Sequence, residues 1–170
     1  VKLADRPTHF LVENMPKENY LLIPETSSER RLYIPIGFMG ADVLCSNAVK
    51  LVPNATLYHF GILTSSVHNA WTRVVCGRLK SDYRYSKDVV YNNFPWPAVI
   101  PKQAEKIEQT AQAILEAREK YADATLADIY GNLILFPELL QAHQANNAAV
   151  MEAYGFDKNL DESQIVTLLL

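Results

Sequence analysis

The segment Asn93-Phe94-Pro95-Trp96-Pro97 divides the chain into two parts with different sequence character. Its two prolines prevent a regular helix or a central strand from running through it, because proline lacks the backbone N–H that both structures use. Before the segment, β-branched and aromatic residues are interrupted by prolines and glycines, as in residues 32–38 and 55–63. This composition predicts short strands and turns up to about Pro101.

The part that follows the segment is rich in Ala, Glu, Gln, Lys and Leu, most of which favour helices. Residues 102–121 are predicted to form a helix, because their apolar side chains recur at spacings of three and four. A second helix is predicted at about 126–130. A third is predicted at 137–154, where Gly155 ends it.

The two parts also differ in charge. Residues 1–101 contain eleven Lys and Arg against eight Asp and Glu, a net charge of +3, whereas residues 102–170 contain five against eleven, a net charge of −6. A polyanion is therefore attracted to the first part and repelled by the second. The sequence predicts an α+β chain in which a mixed, strand-rich domain, residues 1–101, precedes a small α-helical C-terminal subdomain, residues 102–170.

Composition disfavours several classes of protein. No stretch approaches the roughly 18 consecutive apolar residues that a membrane span needs, and no signal peptide opens the chain. Cys45 and Cys76 lie far apart and outside any Cys-x-x-Cys pair, so neither a disulfide framework nor a zinc site is indicated. We expect a cytoplasmic protein without a membrane or metal partner. Because Val1 is not a natural start, we also expect further chain upstream.

The densest cluster of charge lies in residues 71–87, where five basic residues and one acid give a net charge of +4. Within it, residues 79–85 are compatible with an extended segment that turns Lys80, Asp82 and Arg84 to one face. Lysine donates to guanine, aspartate accepts from the N4 amine of cytosine, and arginine binds purine acceptors or a phosphate. The segment is either a surface that reads base edges or an exposed strand with a weak ion pair.

Three blocks of the sequence resemble the target-recognition region of MmeI-like DNA methyltransferases, a family that includes fused restriction and methylation enzymes. The blocks are GILTSSVHNAW at 61–71, CGRLKSDYRYS at 76–86 and VYNNFPWP at 90–97. The resemblance continues upstream through residues 28–35 and downstream to 154–155, and so covers most of the chain.

The resemblance implies that this portion selects the DNA site and has no catalytic residue of its own. An upstream methyltransferase domain of the same chain would bind S-adenosylmethionine and methylate adenine N6, so that the parent is a site-specific DNA adenine methyltransferase. Mg²⁺ would be required if a nuclease is also fused. Double-stranded DNA and the upstream domain are the implied partners, and no cofactor is expected within this chain.

In the family, the positions that match Lys80 and Asp82 act together on one base pair. Some relatives carry Glu and Arg there, a combination whose base-edge chemistry reverses the pair. The resemblance therefore implies that Lys80 and Asp82 select guanine on the methylated strand, directly 3′ of the target adenine.

Further specificity positions are implied outside this pair. Arg84 matches one of them and is partnered by the region of Asn47 and Ala48. Glu25 is expected to act with Asn47 at another base. Together with Lys80 and Asp82, these residues form the predicted base-reading set.

Phosphate contacts are expected from polar side chains around the basic segment, since such contacts fix the register of a protein on DNA. The candidates are Ser65, Ser66, His68, Asn69, Arg73, Arg78 and Tyr83. The residues at 65–69 have an alternative role, because a serine is suited to cap a helix that runs through Trp71. Arg73 and Arg78 also have an alternative role, as internal partners of carboxylates.

Other polar and aromatic residues are assigned to packing. Tyr91, Phe94 and Trp96 lie at the proline-bracketed boundary and are predicted to pack in the core rather than to stack on bases. Asn146 and Asn147 stand where relatives more often carry a Leu-Asp pair, and we expect this difference to weaken a contact of their helix.

Catalytic interpretations have little support. Cys76 and His68 lie close in sequence, but no third group or oxyanion motif accompanies them. The sequence contains neither an Asn-Pro-Pro-aromatic loop for methyl transfer nor a carboxylate cluster for a nuclease metal. The main prediction is sequence-specific recognition of duplex DNA. The alternative is a structural or protein-interaction domain whose basic residues form a solvated face.

Overall fold

The computed structural model describes residues 15–131 and 135–170. Residue 1, on which the expectation of further chain upstream rests, lies outside these ranges. The strands are β1 (Tyr20–Pro24), β2 (Thr26–Ser27), β3 (Gly37–Met39), β4 (Val49–Pro53), β5 (Gly77–Leu79) and β6 (Asp82–Arg84). The helices are α1 (Leu57–Leu63), α2 (Ser66–Val75), α3 (Pro101–Glu119), α4 (Leu126–Ile129), α5 (Pro137–Tyr154) and α6 (Glu162–Leu169). A π-helical turn spans Lys87–Tyr91. The predicted α+β class, with a helical C-terminal part, is confirmed.

The strands form two antiparallel sheets of three strands each. Their orders are β3-β1-β4 and β2-β6-β5. Glu25 alone separates β1 from β2. Its N–H donates to the carbonyl of Ala48 (3.0 Å), and its own carbonyl accepts from the N–H of Tyr85 (2.8 Å). Glu25 therefore joins the first sheet to the second.

Residues 57–63 form a helix, although their aromatic and β-branched composition predicted a strand. The reason is a tertiary contact at Gly61. A Cβ at this position would lie 2.6 Å from Cγ2 of Ile107 on α3, so the glycine is what permits α1 to pack closely on α3. Such packing overrides a weak local preference. Within residues 32–38, strand structure is likewise limited to the start of β3 at Gly37.

The helices predicted in the C-terminal part are confirmed, with small differences at their ends. Helix α3 begins at Pro101, and α4 is a single turn. Helix α5 ends before Gly155, which adopts a φ of 71° in the left-handed region that favours glycine. Helix α6 was missed, although Asp161 caps it by accepting from the N–H of Gln164, a recognisable start signal. No helix in the described ranges is long and apolar enough to cross a bilayer.

Asn146 and Asn147 attach α5 to the strand-rich part. The Asn146 amide donates to the carbonyl of Gly61 (2.8 Å). Asn147 accepts from the N–H of Ser66 (2.8 Å) and donates to the hydroxyl of Tyr33 (2.7 Å). The expectation that these residues weaken a helix contact is therefore wrong, because their amides satisfy backbone and side-chain groups at the interface.

Arg118 carries a buried charge between the two parts. Its Nη1 donates to the carbonyl of Ile36 (2.8 Å), and its Nε and Nη2 donate to the hydroxyl of Tyr130 (3.0 and 2.8 Å). The Tyr130 hydroxyl is thereby left to donate to Nε2 of His143, 2.6 Å away. One hydrophobic core also runs through both parts, so the division at residue 101 stays a prediction.

Acid is expected to destabilise the fold through two buried histidines. Burial lowers the pKa of His68 to about 4, and burial with the charge of Arg118 lowers the pKa of His143 to about 3. In the unfolded chain a histidine has a pKa of about 6.5 and takes up its proton below that value. The free energy of unfolding should therefore fall as the pH drops from about 6.5 towards 4, by up to about 1.4 kcal/mol per pH unit for each histidine.

Denaturant unfolding between about pH 7.5 and about pH 5 measures this dependence. The variant His143→Gln keeps an acceptor for Tyr130 but does not titrate, so its pH dependence should be clearly shallower. Equal dependence in the variant and the wild type would contradict the assignment.

Candidate nucleic-acid interface

Strands β5 and β6 form a hairpin whose two-residue tip is Lys80 and Ser81. Lys80 adopts a φ of 57°, in the left-handed region that lysine disfavours. A two-residue hairpin turn requires such a conformation. The extended segment predicted for residues 79–85 is therefore wrong at Lys80, because the chain reverses its direction there.

The three residues predicted to share one face consequently occupy two places on the hairpin. Asp82 and Arg84 are separated by one residue on β6, so their side chains share a face of that strand. Lys80 belongs to the tip. Lys80 and Arg84 are exposed and Asp82 is half-buried. The hairpin is thus an accessible two-stranded ribbon, an element that fits the major groove of B-form DNA.

Tyr83 is the buried residue of strand β6. Its side chain points away from the Asp82 and Arg84 face, and only 9% of the residue is exposed. The guanidinium of Arg78 lies 4.1 Å from its ring centroid and also donates to the carbonyl of Ser81 (3.0 Å). Tyr83 therefore packs within the hairpin, and its contact with DNA stays a prediction. Arg78 is exposed, so its phosphate contact stays a prediction.

Further specificity candidates meet at the base of the hairpin. The backbone of Glu25 bonds to Ala48, and its carboxylate lies 3.4 Å from Nη2 of Arg84 and 3.6 Å from Nζ of Lys50. Asn47 is exposed and directly precedes Ala48. The structure therefore brings these residues together. The structure also places Lys50 in this group, which the sequence analysis missed. The one signal in the sequence was a charged residue within the otherwise apolar strand β4.

The predicted phosphate contacts at the start of α2 are wrong for three residues, because Ser65, His68 and Asn69 have at most 3% of their surface exposed. Ser65 caps the helix by accepting from the N–H of His68, and the Asn69 amide donates back to the carbonyl of Ser65 (2.7 Å). The alternative, a serine-capped helix through Trp71, is confirmed. Ser66 is half-buried, and its phosphate contact stays a prediction.

Arg73 has an internal carboxylate partner, as the alternative role predicted. Its Nη1 donates to the carboxylate of Glu162 on α6. Its Nη2 donates to the carbonyls of Leu32 (2.8 Å) and Arg31 (3.3 Å), in the loop that follows β2. The guanidinium therefore connects three parts of the fold, and a phosphate contact of this half-buried residue stays a prediction.

Cys76 and His68 do not form a nucleophile–base pair in the structure. Burial raises the pKa of the Cys76 thiol, which opposes formation of a thiolate. The Nε2 of His68 lies 3.1 Å from the hydroxyl of Tyr85 instead. Among the residues that the structure describes, no group of three His, Cys, Asp or Glu could hold a metal ion.

Comparison with known proteins identifies the family. Residues 1–98 match the family model for the MmeI target recognition domain, and residues 99–170 match that for the MmeI C-terminal domain. The chain belongs to the MmeI family. DNA methyltransferase A of Bacillus subtilis (strain 168) is 37% identical over 169 residues, which are 99% of this chain and 19% of that relative.

A solved structure shows the same fold. The type IIL restriction-modification enzyme MmeI in complex with DNA matches 99% of this chain with a TM-score of 0.90 and 45% identity, and the match covers 22% of the MmeI chain. This chain thus spans about a fifth of the length of each relative.

The two MmeI family matches meet directly after the proline-bracketed segment. Its aromatic side chains are packed together: the ring centroid of Trp96 lies 5.6 Å from that of Phe94 and 6.1 Å from that of Tyr91. The hydroxyl of Tyr154 on α5 donates to the carbonyl of Pro95 (2.7 Å). The prediction that these aromatic residues pack in the core is confirmed.

Replacing Lys80 with glycine is expected to preserve the fold. The left-handed conformation costs lysine roughly 1–2 kcal/mol, which glycine avoids, although glycine loses about 0.5–1 kcal/mol of backbone entropy. Lys80→Gly should therefore unfold at the wild-type temperature or up to about 6 °C above it. Ser81→Gly is the matched control: it has no left-handed φ to relieve and should unfold at a lower temperature. If Lys80→Gly is less stable than Ser81→Gly in thermal unfolding, the turn geometry is wrong.

Proposed function

We propose that this chain selects the duplex DNA sequence at which a DNA adenine methyltransferase acts. The observation that carries the proposal is the exposed β5–β6 hairpin, with Lys80 at its tip and Asp82 and Arg84 on one strand face. In the major groove, each base pair presents a distinct pattern of donors, acceptors and methyl groups. Support also comes from the similarity to a target recognition domain and to a restriction-modification enzyme in complex with DNA.

Lys80 and Asp82 act together on one base pair in this proposal. They flank Ser81 at the protruding end of the hairpin, so that both approach the groove from the same element. The ammonium donates to O6 and N7 of guanine, and the carboxylate accepts from N4 of the paired cytosine. We infer a guanine on the methylated strand, directly 3′ of the target adenine.

A second reading position lies at the base of the hairpin. Arg84 binds purine acceptors there, flanked by Asn47 and Ala48, and Glu25 acts with Asn47 at another base. The contacts of the Glu25 carboxylate with Lys50 and Arg84 hold both cations near β6. Because charge-assisted hydrogen bonds are the stronger ones, this arrangement restricts the directions from which Arg84 meets a base.

Phosphate contacts position the hairpin without carrying sequence information. We assign this part to Arg78, whose guanidinium is exposed beyond the Tyr83 ring, and to Ser66 at the start of α2. The helical part carries the acid excess and packs through α5 and α6 on α2, the helix that directly precedes the hairpin.

The chemical step belongs to an upstream part of the complete enzyme. That part binds S-adenosylmethionine and transfers its methyl group to adenine N6 in the cytoplasm, and Mg²⁺ is required if the enzyme also cleaves DNA. The target adenine must leave the base stack to be methylated, because its exocyclic amine is otherwise out of reach of the catalytic site. The recognition part fixes which adenine is presented.

An exchange of charges at the hairpin tip tests the proposal. The complete enzyme is prepared with Lys80→Glu and Asp82→Arg, which puts an acceptor at position 80 and a donor at position 82. The preferred base pair at one position of the site should therefore change from G·C to C·G. A good base contact is worth about 1–3 kcal/mol, which corresponds to roughly 5- to 150-fold in discrimination. Sequencing of the methylated sites measures the change, and all other positions of the site should stay the same.

The matched control is Lys102→Glu with Asp157→Arg, which makes the same changes at exposed positions of the helical part. Its methylated site should be that of the wild type. An unchanged site in a folded hairpin variant contradicts the proposal and favours the alternative, a structural or protein-interaction domain.

A further inference from the structure

A polar depression of about 410 Å³ lies beside the hairpin tip, between residues 28–31 and the pair Ser81 and Asp82. We propose that Arg30 and Arg31 form a phosphate site in this depression, which takes the phosphodiester next to the base pair read by Lys80 and Asp82. The inference rests on the proposed function, and it adds two residues that belong to neither the base-reading set nor the phosphate candidates.

The backbone around both arginines is held by the hairpin sheet. Strand β2, directly before residues 28–31, pairs with β6 in the second sheet. The N–H of Arg31 donates to the carbonyl of Ser28 (3.2 Å), and the N–H of Arg30 donates to the Ser28 hydroxyl (3.3 Å). The carbonyl of Arg31 also accepts from Arg73. This turn therefore keeps the arginines in register with the strand that carries Asp82.

Both arginines line the depression, and Arg30 is exposed. Within residues 15–131 and 135–170, neither Arg30 nor Arg31 forms an ion pair with a carboxylate. Guanidinium groups present planar sets of N–H donors that match phosphate oxygens, so the two side chains are suited to bind a phosphodiester there.

Two carboxylates in the same depression decide which phosphate binds. Glu29 and Asp82 balance the charges of the two arginines, and the N–H of Glu29 donates to Oδ1 of Asp82 (3.4 Å). A free phosphate therefore meets no net attraction. In a correctly read duplex, the cytosine amine engages Asp82 while the DNA strand carries its phosphate to the arginines. The site is thus predicted to favour a phosphodiester of cognate DNA over inorganic phosphate.

Removal of both arginines from the complete enzyme tests the site. Each phosphate contact contributes about 0.9 to the slope of log K against log salt concentration, so Arg30→Ala with Arg31→Ala should lower that slope by about 1 to 2. Affinity for a cognate duplex at physiological salt should fall roughly 10- to 100-fold. The methylated sequence should stay the same, because a phosphate contact does not report base identity.

A duplex with one neutral methylphosphonate locates the contact. Wild-type enzyme should lose affinity when the modification stands next to the G·C pair read by Lys80 and Asp82. The double variant should be insensitive to it at that position. Inorganic phosphate should compete no better than chloride at equal ionic strength, and specific competition by phosphate would contradict the preference for a diester.

Two further variants keep the test decisive. Arg30→Ala changes an exposed side chain and should fold, and it should show about half of the loss in slope. Lys102→Ala with Lys158→Ala removes two exposed cations from the helical part and should leave the slope unchanged. A wild-type slope in a folded Arg30→Ala, Arg31→Ala enzyme overturns this inference alone. Failure of the wild-type enzyme to bind duplex DNA overturns the proposed function as well.

Discussion

The two sheets are connected through the backbone of Glu25. Its N–H extends the pairing of β1 with β4 by bonding to Ala48, and its carbonyl bonds to Tyr85 beside the pairing of β2 with β6. Because one residue takes part in both ladders, the hairpin cannot turn relative to the first sheet without breaking one of these bonds. The carboxylate of the same residue contacts Lys50 and Arg84. Backbone orientation and charge placement at the hairpin base therefore depend on one position.

Helix α2, which directly precedes the hairpin, is fixed to other parts of the fold. The indole N–H of Trp71 donates to the carbonyl of Val90 (3.0 Å), and Arg73 binds Glu162 and the loop after β2. Lys80 and Arg84 are exposed and take no part in these contacts. Substitutions at exposed positions away from such contacts usually change stability by less than about 0.5 kcal/mol. The candidate base-reading residues Lys80 and Arg84 can therefore be substituted without loss of the fold.

The helical part was predictable because its signals are local. They are the spacing of its apolar residues, Pro101 at the start of α3 and Gly155 after the end of α5. Helix α1 was missed because the contact of Gly61 with α3 is not local. The hairpin was missed because Lys80 and Ser81 lack the Asn-Gly or Gly signal of a tight turn. Polar residues such as His68 suggested a surface, although hydrogen-bonded polar groups are accepted in a core. The candidate reading residues came from the family resemblance, and their geometry came from the structure.

Part of the charge difference between the two parts of the chain is balanced by an ion pair between them. Glu162 of the acidic part pairs with Arg73 of the basic part, whose side chain is 19% exposed. Arg30 is exposed in the loop after β2, and Lys80 and Arg84 are exposed on the hairpin. Glu25 lies beside Arg84, and two carboxylates share the depression with Arg30. These exposed cations therefore lie on or beside one small ribbon, and nearby carboxylates offset part of their charge. In the proposed function, the cations that attract a polyanion thus lie on the same ribbon as the candidate base-reading residues, so that electrostatic attraction and base recognition would act at the same place.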